Sequence, residues 1–218
     1  MKKKWARRSL LSYFLVFALS LFIFSGCGQK TGQNIAEDSS SQDEAVEFSE
    51  EVNRILEQKK MLLKDFAADP MVIRFVKESN KKNKDHSASD IADLDKKWQE
   101  ADGIDDFIKP YITNDCALYL VSFQDNHDVF SEIFITDIKG LIIGETNKTS
   151  DFYQADEDWW VQTYNNGTGN EFYGEIEYDE SSRSEAIPVY VPVFDPETKV
   201  VIGVIKAVCD ITAIKLEL

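Results

Sequence analysis

Histidine is almost missing from this chain. Of its 218 residues only His86 and His127 are histidines, and both fall in polar stretches. Neither has a cysteine or an acid at metal-ligand spacing, so no zinc site is expected. Asp125-Asn126-His127-Asp128 lacks the glycine and the distal glutamate of a calcium loop. No Gly-x-Ser-x-Gly elbow, phosphate-binding loop or dinucleotide fingerprint occurs. The many carboxylates make a chance pair at hydrolase distance conceivable, but no pattern points to one. The expectation is therefore no enzyme and no cofactor. Positive charge is scarce as well. The chain has 24 Lys+Arg against 39 Asp+Glu, and five of those cations crowd the first eight residues. The rest carries 19 against 39, a net charge of about −20. Such a surface is repelled by nucleic acid, whose binding depends on cations that release counterions. It is repelled equally by an anionic lipid surface.

What is present begins with a targeting pattern. Lys2, Lys3, Lys4, Arg7 and Arg8 precede an apolar run from Leu10 to Phe24, which Ser25-Gly26-Cys27 closes. Basic, apolar, then small residues is the layout of a secretory signal. The run is short for a membrane span, which needs roughly 20 residues. The end of the run resembles a bacterial lipobox, in which the thiol, here Cys27, receives lipid and becomes the mature N-terminus. It departs from that pattern at Phe24, where leucine is favoured. An uncleaved anchor helix is the alternative. Either way the rest of the chain is expected outside the cytoplasm, anchored to the cell membrane.

Residues 28–44 are Gly, Ser, Gln, Asp and Glu with hardly an apolar side chain, and read as a flexible acidic tether. A single domain is expected over 45–218, enough for a proper core. Ala45, Phe48, Val52, Ile55, Lys59, Leu62 and Phe66 recur at steps of three and four, which puts one stripe along a long helix. That stripe could pack on a sheet or pair with a second chain as a homodimer. Asp69-Pro70 should end the helix, and Pro70 can begin a short one over Met71 to Ser79. Asn80 to His86 reads as a polar connection. Ser87 with Asp90 looks like the cap of a helix reaching about Glu100. Residues 114–123 suit a helix or a strand. Beyond Phe130 the texture is strand and turn: 132–137 and 141–145 flank Ile138-Lys139-Gly140, and three more strands follow over 171–178, 186–194 and 200–210. The fold class expected is α+β, a long N-terminal helix with a five-stranded antiparallel sheet and flanking helices. Cys116 and Cys209, left once Cys27 is assigned, could form one disulfide or remain two buried thiols.

One ordered set of segments carries more meaning. Phe134-Ile-Thr-Asp-Ile-Lys-Gly140 is followed by Tyr153-Gln-Ala-Asp-Glu-Asp-Trp-Trp160. Then come Glu177-Tyr-Asp-Glu180, Val191-Pro-Val193, Ile202-Gly-Val204 and Cys209-Asp-Ile211. In this order the set resembles the Cache superfamily of PAS-like extracytoplasmic sensor domains, over residues 45–214. Amino-acid-binding members mark their pocket with a tyrosine, Arg-x-Trp-Tyr, a later tyrosine and an aspartate ending the last strand. The resemblance implies ligand-binding roles for Tyr153 (or its neighbour Phe152), Trp159, Trp160, Tyr178 and Asp210. It places Glu157 where the arginine stands. An arginine there grips a carboxylate, whereas Glu157 would repel one. Acids beside indole rings suit an amine cation instead.

Each piece also has a structural reading. Asp156, Glu157 and Asp158 suit a helix N-terminus, and Asp210 a closing cap. Trp159 and Trp160 could be core, and as helix neighbours only one of them should face a pocket. The function expected is a lipoprotein that binds a small polar ligand outside the cell. With no kinase, chemoreceptor or cyclase region in the sequence, signalling should pass through a membrane partner. The competing expectation is an envelope interaction module that uses the Cache fold without a ligand.

Overall fold

Helix α1 opens the domain because Ser49 caps it. Its hydroxyl accepts from the Val52 amide at 3.3 Å, and Glu50 and Glu51 fill the first turn where acids complement the helix dipole. The computed structural model describes residues 48–179 and 184–218. The expected signal, Cys27 and the tether lie outside them. Among the described residues are seven α-helices and six strands. The α+β class and the antiparallel sheet expected from the sequence are found, with one strand more.

Helix α1 covers Glu50–Ala67 and buries Ile55, Leu56, Leu63, Phe66 and Ala67. The stripe packs on the sheet, in one core with Val189, Val191 and Ile205. Lys59, the one charge within the stripe, pairs with Glu217 at 2.6 Å. Asp69 caps α2, Pro70–Asn83, which runs four residues past the expected end at Ser79. The polar residues that suggested a connection are docked instead of solvated. Asn80 donates to Ile202 O and accepts from the Ile138 amide, both at 2.8 Å, and Asn83 donates to Asp137 at 2.7 Å.

Helix α3, Ala88–Glu100, has the full Ser87/Asp90 capping box. A short α4, Lys109–Thr113, leads to α5, Asp115–Asp125, so the ambiguous 114–123 stretch is a helix. Asn114 caps it by accepting from the Ala117 amide at 2.8 Å.

Strands β1 (Phe130–Asp137) and β2 (Ile142–Glu145) form the expected hairpin. After α6 (Asp158–Tyr164) come β3 (Phe172–Tyr173), β4 (Glu177–Asp179), β5 (Ser184–Phe194), β6 (Val201–Asp210) and α7 (Ile211–Leu216). The order across the sheet is β2-β1-β6-β5-β3, with β4 also on β5, and every pairing is antiparallel. The single strand expected over 171–178 is thus two. Its register on β5 slips by one residue between Tyr173↔Val189 and Glu177↔Ala186. There Gly174 lies so close that an added Cβ would meet Pro188 at 2.9 Å, and Pro188 itself has no N–H to give a ladder.

Alternation along the strands separates two layers. Ile205, Ala207 and Cys209 of β6 join the core under α1, α2 and α5. Val204, Lys206 and Val208 face the other way. On that side α3, α6 and the connection after β2 build a second, smaller core around Trp98, Phe134 and Phe152. Cys116 and Cys209 are both free and buried. No helix among the described residues is long and apolar enough to cross a membrane.

Candidate functional site

The second face of the sheet carries one row of side chains across five strands. Glu145 of β2 lies opposite Phe134 of β1, Phe134 opposite Lys206 of β6, Lys206 opposite Tyr190 of β5, and Tyr190 opposite Phe172 of β3. Residues directly opposite in an antiparallel ladder point to the same side, so the pairing alone sets a lysine between two aromatic rings. Helix α6 completes the arrangement from above. Trp159 stacks on Tyr190, ring centroids 5.0 Å apart and 14° from parallel, and meets Phe134 edge-on at 6.0 Å. The Lys206 ammonium lies 5.1 Å from the Trp159 ring, 5.8 Å from Tyr190 and 6.0 Å from Phe134. Lys206 is half-buried and forms no hydrogen bond or ion pair with another described residue.

Helix α6 can present Trp159 this way because its neighbour is fastened below. Trp160 is 5% exposed, stacks on Tyr164, and donates its indole N–H to Thr136 Oγ1 at 2.9 Å. One of the two adjacent tryptophans pins the helix to the sheet while the other faces Lys206. Glu157 stands just before α6, exposed, with no side-chain cap bond. Partial desolvation and the nearby Asp151 and Asp156 hold its carboxyl above the ordinary range, and Lys206 pulls the other way. Burial, with Glu177 and Glu157 adding to it, pushes the Tyr190 phenol up, so it stays neutral.

The segment between β2 and α6 is tied to α3. Asp95 Oδ1 accepts from the amides of Phe152 at 2.8 Å and Tyr153 at 3.0 Å, and Trp98 donates to Thr149 O at 3.0 Å. Tyr153 lies on that side, bridged to Leu141, and lines a recess of about 380 Å³ with Ile91, Asp95, Lys96 and Asp156. A larger groove of about 920 Å³ lies between α2, α4, α5 and β2, lined among others by Arg74, Glu78, Tyr111 and Asp115. None of the residues expected at a ligand site lines that groove.

The structure brings Glu157 and Trp159 together with Lys206 and sets the others apart. Tyr178 is 65% exposed on β4 and pairs with Glu185, one position out of phase with the Lys206 row, so it faces the opposite side of the sheet. Asp210 ends β6 four residues beyond Lys206, a distance of about 13 Å at strand rise. It caps α7 by accepting from the Ala213 amide at 3.0 Å. Cys27 lies outside the described residues. Sequence reading passed over Lys206, Tyr190 and Phe134. The signal for Lys206 was there: it is a lone cation in the apolar run Val201 to Cys209.

No family model and no curated relative matches the sequence. Among solved structures, the fold is similar to extracellular sensory domains of chemoreceptors and histidine kinases. One is the extracellular domain of a protein assigned as a histidine kinase, at TM-score 0.45 and 12% identity, covering 77% of this chain and 55% of that one. Another is the sensory domain of the Campylobacter jejuni chemoreceptor CcmL, at TM-score 0.39 and 13% identity, covering 76% and 64%. A third is the ligand-binding domain of the Pseudomonas aeruginosa PAO1 amino acid chemoreceptor PctC, in complex with GABA. It aligns at TM-score 0.34 and 10% identity, covering 59% and 53%. The chain spans between about half and two thirds of the length of these domains.

Proposed function

We propose that the chain is an extracytoplasmic Cache-type sensor that takes a small polar molecule on the α6 face of its sheet. An anionic group of the ligand meets Lys206, and its body lies against Trp159. One observation carries this reading. In a chain with 39 acids, a half-buried lysine lies among three aromatic rings and pairs with no carboxylate among the described residues. Ring faces attract a cation by about 0.5–2 kcal/mol, which orients the ammonium. They supply no hydrogen-bond acceptor, so its donors stay available to a ligand.

The amine ligand expected from Glu157 has less support. Lys206 already occupies the faces of Trp159 and Tyr190 that an amine would need, and its charge opposes a second cation. Anchoring through Cys27 and signalling through a membrane partner belong to this proposal too. What supports them is the basic, then apolar, start of the sequence and the sensor reading proposed above.

The test is a thermal-shift screen of the full chain against organic acids, amino acids and amines. A ligand at a hundredfold excess over Kd stabilises by about 2.7 kcal/mol, so modest binders register. Stabilisation by acids or amino acids, lost in Lys206→Met, is the expected result. Stabilisation by amines alone would reverse the polarity assigned to the ligand. Silence across the library would favour the ligand-free interaction module.

A further inference from the structure

Glu145, at the β2 end of the same row, is fully buried, and its Oε1 has no hydrogen-bond partner among the described residues. Its other oxygen lies 3.0 Å from Thr149 Oγ1 and 3.2 Å from the Thr149 amide. The same Thr149 hydroxyl lies 2.8 Å from the backbone carbonyl of Asp151. A threonine hydroxyl has one proton, a carbonyl oxygen none, and an ionised carboxylate none. Two close oxygen–oxygen contacts therefore share a single proton if Glu145 is charged. One of them is then a bare contact between acceptors, or both are weakened by sharing that proton in a three-centre bond. With Glu145 protonated every contact has its proton: the carboxyl O–H donates to Thr149 Oγ1, and Thr149 donates to Asp151 O.

The surroundings favour that form. Glu132, on the neighbouring strand and the same face, repels a second charge, and it makes an interaction of its own. Lys148, in the connection after β2, is the cation that acts against the shift. Other charged residues on the elements packed against β2 include Asp137 of β1, Arg74, Glu78 and Lys82 of α2, Lys109 of α4 and Asp115 of α5, with Asp151 in the connection and Asp95 of α3 bonded to that connection. Asp95 is engaged with the Phe152 and Tyr153 amides. Burial, the largest influence, pushes the Glu145 carboxyl up to about 8.

We propose that Glu145 carries a proton at neutral pH and that this proton fastens residues 146–157 to the sheet, so that alkaline surroundings loosen the segment and the Trp159 helix behind it. The segment is also held by α3 through Trp98 and Asp95 and by backbone hydrogen bonds to the hairpin, from Thr146 N to Ile133 O, Ile142 N to Phe152 O and Gln154 N to Gly140 O, and it leads directly into α6. Its loosening therefore moves the wall of the candidate site. The fastening stands on the proton count alone. Its effect on a ligand rests on the reading of Lys206 and Trp159 given above.

The test uses the full chain without ligand, titrated from pH 5.5 to 9.5. The carbon-13 shift of the Glu145 carboxyl reports its ionisation, and hydrogen exchange at the Thr149 amide and Trp98 indole reports the segment. The expected result is a single ionisation near 8. Exchange at both protons should rise at least tenfold beyond the ordinary base-catalysed trend over the same interval. Glu145→Gln keeps a donor for Thr149 and should abolish that rise. A carboxyl titrating in the usual carboxylate range would overturn the proposal, as would a wild-type pH response in Glu145→Gln. Should that variant not fold, the wild-type carboxyl titration decides alone. An ordinary titration leaves the Lys206 site untouched, and a chain that binds no ligand leaves the titration untouched, so the two failures are distinguishable.

Discussion

The ammonium of Lys206 lies 5.1 Å over the ring of Trp159, the first contributed by the middle of β6 and the second by the first turn of α6. Because Trp159 also stacks on Tyr190 and meets Phe134, one helix and three strands converge on a single cation.

Replacing that cation separates binding from folding. Lys206→Met keeps much of the apolar stem that packs on the rings, so the unfolding free energy should change by less than about 1 kcal/mol. A hydrogen bond to a charged group is worth about 1.5–3 kcal/mol, so ligand affinity should fall roughly tenfold to a hundredfold. Titration calorimetry with the best ligand from the screen checks this. Unchanged affinity would place the ligand elsewhere.

The two tryptophans of α6 should behave in opposite ways. Trp160→Phe removes the donor to Thr136 Oγ1 inside the sheet–helix contact, and should cost about 1–3 kcal/mol in urea unfolding. Trp159→Phe keeps a ring near Tyr190 and should cost less stability while weakening ligand binding. Equal stability losses would mean that Trp159 is simply core.

Gly140 is where the hairpin between β1 and β2 meets the segment leading to α6. Its φ is +78°, and an added Cβ would lie 2.5 Å from Ala155 N and 2.9 Å from Ala155 Cα. Backbone cannot swing aside as a side-chain tip can. Left-handed strain and overpacking together should make Gly140→Ala cost about 2–4 kcal/mol, measured by the shift in the urea midpoint. Gly103, also at positive φ but with nothing within 4 Å of an added Cβ, is the control. Its alanine variant should lose about 1 kcal/mol.

Glu145 also gives stability a direction with pH. Its folded value, about 8, lies above its value in the unfolded chain. The folded state therefore holds the proton more tightly over that interval. The associated stability is fully present below the unfolded value of roughly 4.3, and is lost as pH rises through about 8. The thermal midpoint of the wild type should fall between pH 5 and 9 by more than that of Glu145→Gln, and parallel curves would contradict this.

Much of the architecture was written locally. The steps of three and four from Phe48 to Phe66 specify α1, Ser87 with Asp90 specifies the start of α3, and Ile138-Lys139-Gly140 specifies the hairpin, because each depends on neighbours within a turn or two. Where a segment took its partners from far along the chain, local reading failed. Asn80 and Asn83 looked like a solvated connection, yet they continue α2 because their amides meet Ile202 O and Asp137 across the sheet edge. The strand expected over 171–178 breaks where Pro188, on another strand, has no N–H to offer.

The site divides the same way. The sequence by itself determined that Trp159 and Trp160 would point in different directions, since adjacent helix positions cannot share a face. It offered a helix N-terminus at Asp156, Glu157 and Asp158 beside a ligand-contact reading, and α6 does begin there. Only the tertiary structure decided which tryptophan faces Lys206. That depends on the register of β1, β6 and β5, which places Phe134, Lys206 and Tyr190 side by side and gives Trp160 its acceptor on Thr136. Strand register is a pairing between distant segments, fixed by which faces can be buried together, and no window of one strand contains it.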